Sequence, residues 1–138
     1  MLEQQLEQFD INMVTPIISR AALERNNLNF DENLTTSEEY NLFMRLSAKE
    51  PFCTIPFILG EWRISENSMT NQTISKWHAE RHYTLDQLKE ENPGVELKYP
   101  KAFEEAYARG YYYKARYLVV SNRRKEARET MPSMKIDN

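Results

Sequence analysis

The period of hydrophobic and polar positions changes several times along this chain. Residues 37–48 carry Leu42, Phe43 and Leu46 at spacings of three and four, the stripe of an amphipathic helix. Glu38 and Glu39 stand at its start, behind Thr35, Thr36 and Ser37, any of which can cap it. Acidic side chains are favoured there by the unpaired amides of a first turn. Pro51 stops the helix, and residues 52–64 read as a strand buried on both faces. Phe52, Thr54, Ile55, Phe57, Ile58, Leu59 and Trp62 compose it, with Pro56 and Gly60 as local irregularities. Upstream, Met13, Val14, Ile17 and Ile18 make a β-prone run that Pro16 confines to an edge or broken strand.

The remaining pattern is helical. Residues 2–9 form a short polar helix or a disordered lead-in. A long helix opens at Ser68 or Thr70 and runs to Glu91, with Ile74, Trp77, His78, Tyr83, Leu85 and Leu88 as its inner residues. Asn92, Pro93 and Gly94 end it. From Pro100 onward, small and aromatic residues mix as in two closely packed helices, the second returning over residues 123–131 with Ala127 facing the first. One hairpin of this kind is not a repeat array. The expected architecture is α+β and mostly helical, with two or three short strands and a C-terminal helical hairpin.

Composition narrows the class. Of 138 residues 41% are hydrophobic and 28% charged, which suits one globular domain with a core. No apolar run reaches membrane-span length and no basic-then-apolar leader opens the chain, so it reads as soluble and cytoplasmic. Cys53 has no partner for an internal disulfide, and its apolar neighbours make a packed thiol the expectation. The net charge of −3 conceals a gradient, with nine acidic and four basic residues in 1–50 against five and nine in 101–138. That basic surplus is too dispersed for nucleic acid and reads as a solvated helix face.

Two aromatic or titratable groupings have a bland and a functional reading. His78 and His82 stand at i and i+4, a spacing open to a metal, but Ala79, Glu80 and Arg81 between them do not complete an HExxH pattern. Tyr111, Tyr112 and Tyr113 either stack on a sugar or seal a contact between helices.

Residues 38–46, Glu-Glu-Tyr-Asn-Leu-Phe-Met-Arg-Leu, resemble the Glu-Asp-Tyr-Asp-Leu-Trp-x-Arg-Leu segment of family 2 glycosyltransferases, inverting enzymes of the GT-A fold. The flanks are similar too: Asn-Met-Val-Thr-Pro-Ile-Ile-Ser-Arg-Ala-Ala-Leu at 12–23 resembles the family's segment leading into its Arg-x-x-Leu turn, which implies a short helix over residues 20–25 and a loop over 28–34 with Phe30 turned inward. Asn-Leu-Asn-Phe-Asp-Glu-Asn-Leu at 27–34 resembles that family's Gly-x-Phe-Asp-Glu-x-Leu, with Asn27 or Asn29 in place of the glycine. Asparagine tolerates the left-handed backbone such a turn requires. Residues 52–64 resemble the family's Ile-x-x-Ile-Pro-x-x-Leu-x-x-Tyr-Arg-x-His strand, with Ser65 where a histidine is usual.

The resemblance implies a partial GT-A-like unit over residues 1–70, with residues 71–138 as a helical extension packed on it. Glu39 would be the general base that deprotonates the acceptor hydroxyl, and Glu38 its neighbour. Glu39 stands where the family has aspartate. Arg63 and Trp62 would contact substrate, Arg63 either through donor phosphate or in a plain salt bridge. The whole enzyme would use a nucleotide-sugar donor and a divalent metal (Mg²⁺ or Mn²⁺), but no Asp-x-Asp metal motif occurs here. The chain would therefore carry the acceptor side without the donor-binding half, be inactive alone, and self-associate through the surface that half should cover. The alternatives are a non-catalytic helical interaction module and a degenerate transferase remnant.

Overall fold

The computed structural model describes residues 1–63 and 73–130. Within them lie seven helices: α1 (Leu2–Glu7), α2 (Arg20–Arg25), α3 (Glu38–Ser47), α4 (Ile74–Glu91), α5 (Val95–Lys98), α6 (Pro100–Val120) and α7 (Arg124–Thr130). α4 and α6 form the main packed pair, α1 and α3 lie against them, and α7 folds back on the end of α6. The predicted C-terminal hairpin is present, and Ala127 is buried as expected, packing with Ala115 and Leu118.

The main core joins Leu2 and Leu6 of α1, Tyr40 and Met44 of α3, Leu85 and Leu88 of α4, and Ala102, Phe103 and Ala106 of α6. It draws on both sides of the boundary expected near residue 70. The lead-in segment is thus a helix anchored by Leu2 and Leu6. A second cluster holds Leu28, Leu42 and Leu46, with Ile18, Leu23 and Phe52 against it. The stripe of α3 therefore divides between two cores, Tyr40 and Met44 facing one while Leu42 and Leu46 face the other.

Turn chemistry fits the backbone. Asn27 has φ of 50°, so it is the asparagine that takes the left-handed place of the expected glycine. Gly94, at φ 84°, provides the same conformation between α4 and α5. The start of the long helix at Ser68 or Thr70, and Ser65, lie outside the described residues.

The α+β expectation is overturned, because the described residues contain no strand and no sheet. Residues 52–63 are irregular, and beyond the half-buried Phe52 they face outward. Ile55 is 55% exposed, Phe57 74%, Ile58 95% and Leu59 60%, so the segment is not buried on both faces. The one backbone bond between its own residues is a tight local one, from Phe57 N–H to the Ile55 carbonyl at 2.9 Å, rather than a ladder. Residues 11–18 behave alike: Thr15 N–H turns back to the Asn12 carbonyl, and Val14 N–H to the Asn12 side chain. β-branched and aromatic residues favour strands because they pack on a pleated neighbour, and neither segment has one. The same exposure corrects two smaller expectations: Cys53 is exposed rather than packed, and Phe30 is 44% exposed rather than tucked inward. Among the described residues no helix is long and apolar enough to cross a membrane.

Candidate functional site

The carboxylate pair lies where the sequence suggests, in the first turn of α3. Its cap is different. Ser37 makes no side-chain capping bond. Glu80 of α4 instead holds the loop that enters the helix: its Oε1 accepts from Thr35 N–H at 3.0 Å, while Oε2 accepts from Thr36 at 3.0 Å and from the N-cap residue Ser37 at 2.9 Å. Glu80 is buried, so these bonds satisfy a carboxylate that would otherwise be costly to desolvate. Thr73 Oγ1 donates to Thr36 Oγ1 at 2.7 Å, and Lys76 Nζ to Thr35 Oγ1 at 3.2 Å.

This grip continues along α3. Asn41, fully buried, donates to Thr84 at 3.2 Å and Gln87 at 2.7 Å, and Arg45 pairs with Glu91 at 2.6 Å. Thr73, at the N-cap of α4, and Lys76, Glu80, Thr84, Gln87 and Glu91 within it recur every three or four residues, so one polar face of α4 straps α3 in place. That polar stripe was the available sequence signal for Glu80, which the resemblance did not single out.

Glu39 is half-buried. Burial raises its pKa above the ordinary carboxylate value, and the charges of Glu38 and Glu80 push the same way. Its own backbone amide and the Arg81 guanidinium oppose the rise. Arg81 lies over the Tyr40 ring at 3.8 Å from its centroid and 5.3 Å from that of Tyr113. Trp77 meets Tyr113 edge-on at 5.0 Å. Glu38 Oε2 and Arg81 Nε are shielded from solvent without a hydrogen-bond partner. A basic carboxylate, a guanidinium held by aromatic rings and a second carboxylate thus share the region around the start of α3.

Trp62 and Arg63 are elsewhere in character. Trp62 is 65% exposed and Arg63 is exposed. Among the described residues no ion pair engages Arg63, and no ring contact or hydrogen bond joins either residue to Glu38 or Glu39. The tyrosine run divides: Tyr113 packs on Trp77, Tyr111 lies against His78 and His82, and Tyr112 is 55% exposed.

The two histidines meet each other at 4.2 Å between ring centroids, and His82 Nε2 lies 3.1 Å from the Tyr107 carbonyl. They build the α4–α6 crossing. Among the described residues no three His, Cys, Asp or Glu side chains are grouped to hold a metal ion. No family model, no curated protein and no solved structure matches this chain.

Proposed function

We propose that this chain is the acceptor-side part of an inverting glycosyltransferase, which moves a sugar from a nucleotide-sugar donor to an acceptor hydroxyl with Glu39 as general base. The observation that supports this reading most is the Glu39 carboxylate itself, half-buried in a helix's first turn with its basicity raised by burial and by Glu38 and Glu80. A general base works best when its pKa approaches the operating pH, so a raised carboxylate suits the task better than an ordinary one. The residue match at 38–46 supplies the reaction class.

The chemistry balances with one proton acceptor. As the acceptor oxygen bonds to the anomeric carbon, its proton passes to a Glu39 carboxylate oxygen. The bond from that carbon to the diphosphate oxygen breaks on the opposite face, and the nucleoside diphosphate leaves with the electron pair. Trp62 offers an exposed ring for a sugar face and Arg63 a guanidinium for phosphate. Donor binding comes from residues outside these 138. The divalent ion implied by the resemblance has no ligand set among the described residues, so the residues present do not fit it.

Turnover tests the reading. The chain alone, given nucleotide sugars and Mn²⁺, should transfer nothing. In the protein that also holds the donor-binding residues, Glu39→Gln should lower kcat about 10²- to 10⁴-fold, the usual worth of a positioned general base. Undiminished turnover of that variant would remove Glu39 from the mechanism.

A further inference from the structure

The start of α3 is held by a residue more than forty positions away. A helix whose own first residues cannot satisfy their amides frays, and a frayed first turn leaves its side chains without a fixed place. Here Ser37 makes no capping bond, yet three consecutive amides, Thr35, Thr36 and Ser37, converge on the single Glu80 carboxylate. Glu38 and Glu39 follow immediately, so whatever fixes that loop fixes them.

We propose that Glu80 is a positioning residue for Glu39: its carboxylate accepts three consecutive amides and clamps the loop that leads directly into Glu38 and Glu39. The catalytic consequence rests on the assignment of Glu39 as the base, but the clamp and the charge coupling are properties of this chain alone.

Three features favour the role over plain capping. Glu80 is buried beside the loop, where its charge acts through protein rather than bulk water. Its bonds come from both sides of the carboxylate, which fixes the loop in orientation as well as distance. The next residue, Arg81, is packed over Tyr40 and brings the opposing positive charge to the same place. Adjacent positions of α4 therefore set the field at Glu39 from opposite directions, with Glu38 as the remaining charged neighbour.

The test follows the Glu39 carboxyl carbon by NMR through a pH titration of the whole chain, in the unaltered protein and in Glu80→Gln. Removing the charge should lower the Glu39 midpoint, and loss of the clamp should speed amide exchange at residues 35–37 by roughly fivefold or more, the scale of losing a helix cap. Gln87→Ala is the control. It removes the Asn41–Gln87 bond from the same interface without changing charge, and should leave the Glu39 midpoint where it is.

A Glu39 midpoint that stays put in folded Glu80→Gln, or that moves equally in Gln87→Ala, would overturn the proposal. Should Glu80→Gln not fold, the unaltered chain decides. The amides of Thr35, Thr36 and Ser37 should be protected from exchange by the Glu80 carboxylate, and exchange at the rate of an open loop would overturn the clamp. Neither readout depends on sugar transfer. Loss of turnover in Glu39→Gln with no effect of Glu80→Gln on Glu39 would sink this inference alone, and the reverse result would sink the enzyme assignment alone.

Discussion

Gly110 of α6 lies directly against His82 of α4: a Cβ built on the glycine would stand 2.6 Å from the imidazole Cδ2, and 3.5 Å from His78 Nδ1. Glycine inside a helix is ordinarily a weakness of about 1 kcal/mol relative to alanine. Here it lets two helices approach closely enough for His82 to reach the Tyr107 carbonyl.

Gly110→Ala should therefore destabilise the chain despite the better helix propensity. The displaced imidazole sits among Tyr107, Tyr111 and His78 and has little room to yield. Overpacking of this kind costs about 1–3 kcal/mol, which exceeds the propensity gain. Urea unfolding checks the sign; a variant more stable than the parent would show that the helices separate without cost.

The same crossing should make the fold sensitive to mild acid. Burial is the main cause that lowers the His78 pKa to about 4, with His82 and Lys114 adding to it and the Gly110 backbone opposing. In the unfolded chain a histidine titrates near about 6.5. Between those values the unfolded state binds more protons, so stability present above about pH 6.5 is lost as pH falls toward about 4. The His82 pKa is also lowered, chiefly by burial, and acts in the same direction. His78→Gln should flatten the loss between pH 6.5 and 4 in a series of urea midpoints. An unchanged slope would place the acid sensitivity elsewhere.

What was legible in the sequence was local. The stripe of Leu42 and Leu46 predicts α3 because a helix period needs only neighbours, and Asn27 and Gly94 adopt left-handed backbone for reasons internal to each residue. Ala127 was placed correctly by the same short-range pattern. The failures are long-range. Residues 52–63 have the composition of a strand, but a strand exists only when another chain segment accepts its hydrogen bonds. Cys53 was misplaced with them. The place of Glu80 on the polar stripe of α4 is legible from spacing, but the loop amides it holds lie 43 to 45 positions away, and no local pattern announces them.

Glu39→Gln should raise stability at neutral pH even as it removes the proposed base. A carboxyl whose folded pKa lies above its unfolded value contributes stability at low pH that is lost as pH rises through the folded pKa, because the buried charge is then unfavourable. Glutamine removes that charge. The variant's gain in urea midpoint should be present at pH 7, shrink as pH falls through the raised folded pKa, and be gone below the ordinary glutamate value of about 4.5. A neutral-pH loss instead would mean that the Glu39 charge is stabilised by Arg81 more than burial penalises it.

The isolated chain should self-associate through the apolar surface of residues 11–18 and 52–63. The two segments meet at Gly60, where a Cβ would stand 2.7 Å from Val14 Cγ1 and 3.1 Å from Thr15 Cγ2. Together they present Ile17, 94% exposed, and Ile58, 95% exposed, along with Phe57, Leu59 and Trp62. Scattered apolar side chains are ordinary on a surface, but a contiguous group of this kind marks a contact face. Under the proposed function that face would pack on a donor-binding part; without one, a second copy is the available cover. Light scattering should show a mass that rises with concentration. Ile58→Asp should weaken the association by tenfold or more, since burying one such side chain is worth about 1.5–3 kcal/mol. Because Ile58 is nearly free of intramolecular contact, the substitution should leave the urea midpoint of the monomer unchanged. A mass that stays monomeric over a wide concentration range would count against the donor-facing role of these segments as well as against the association itself.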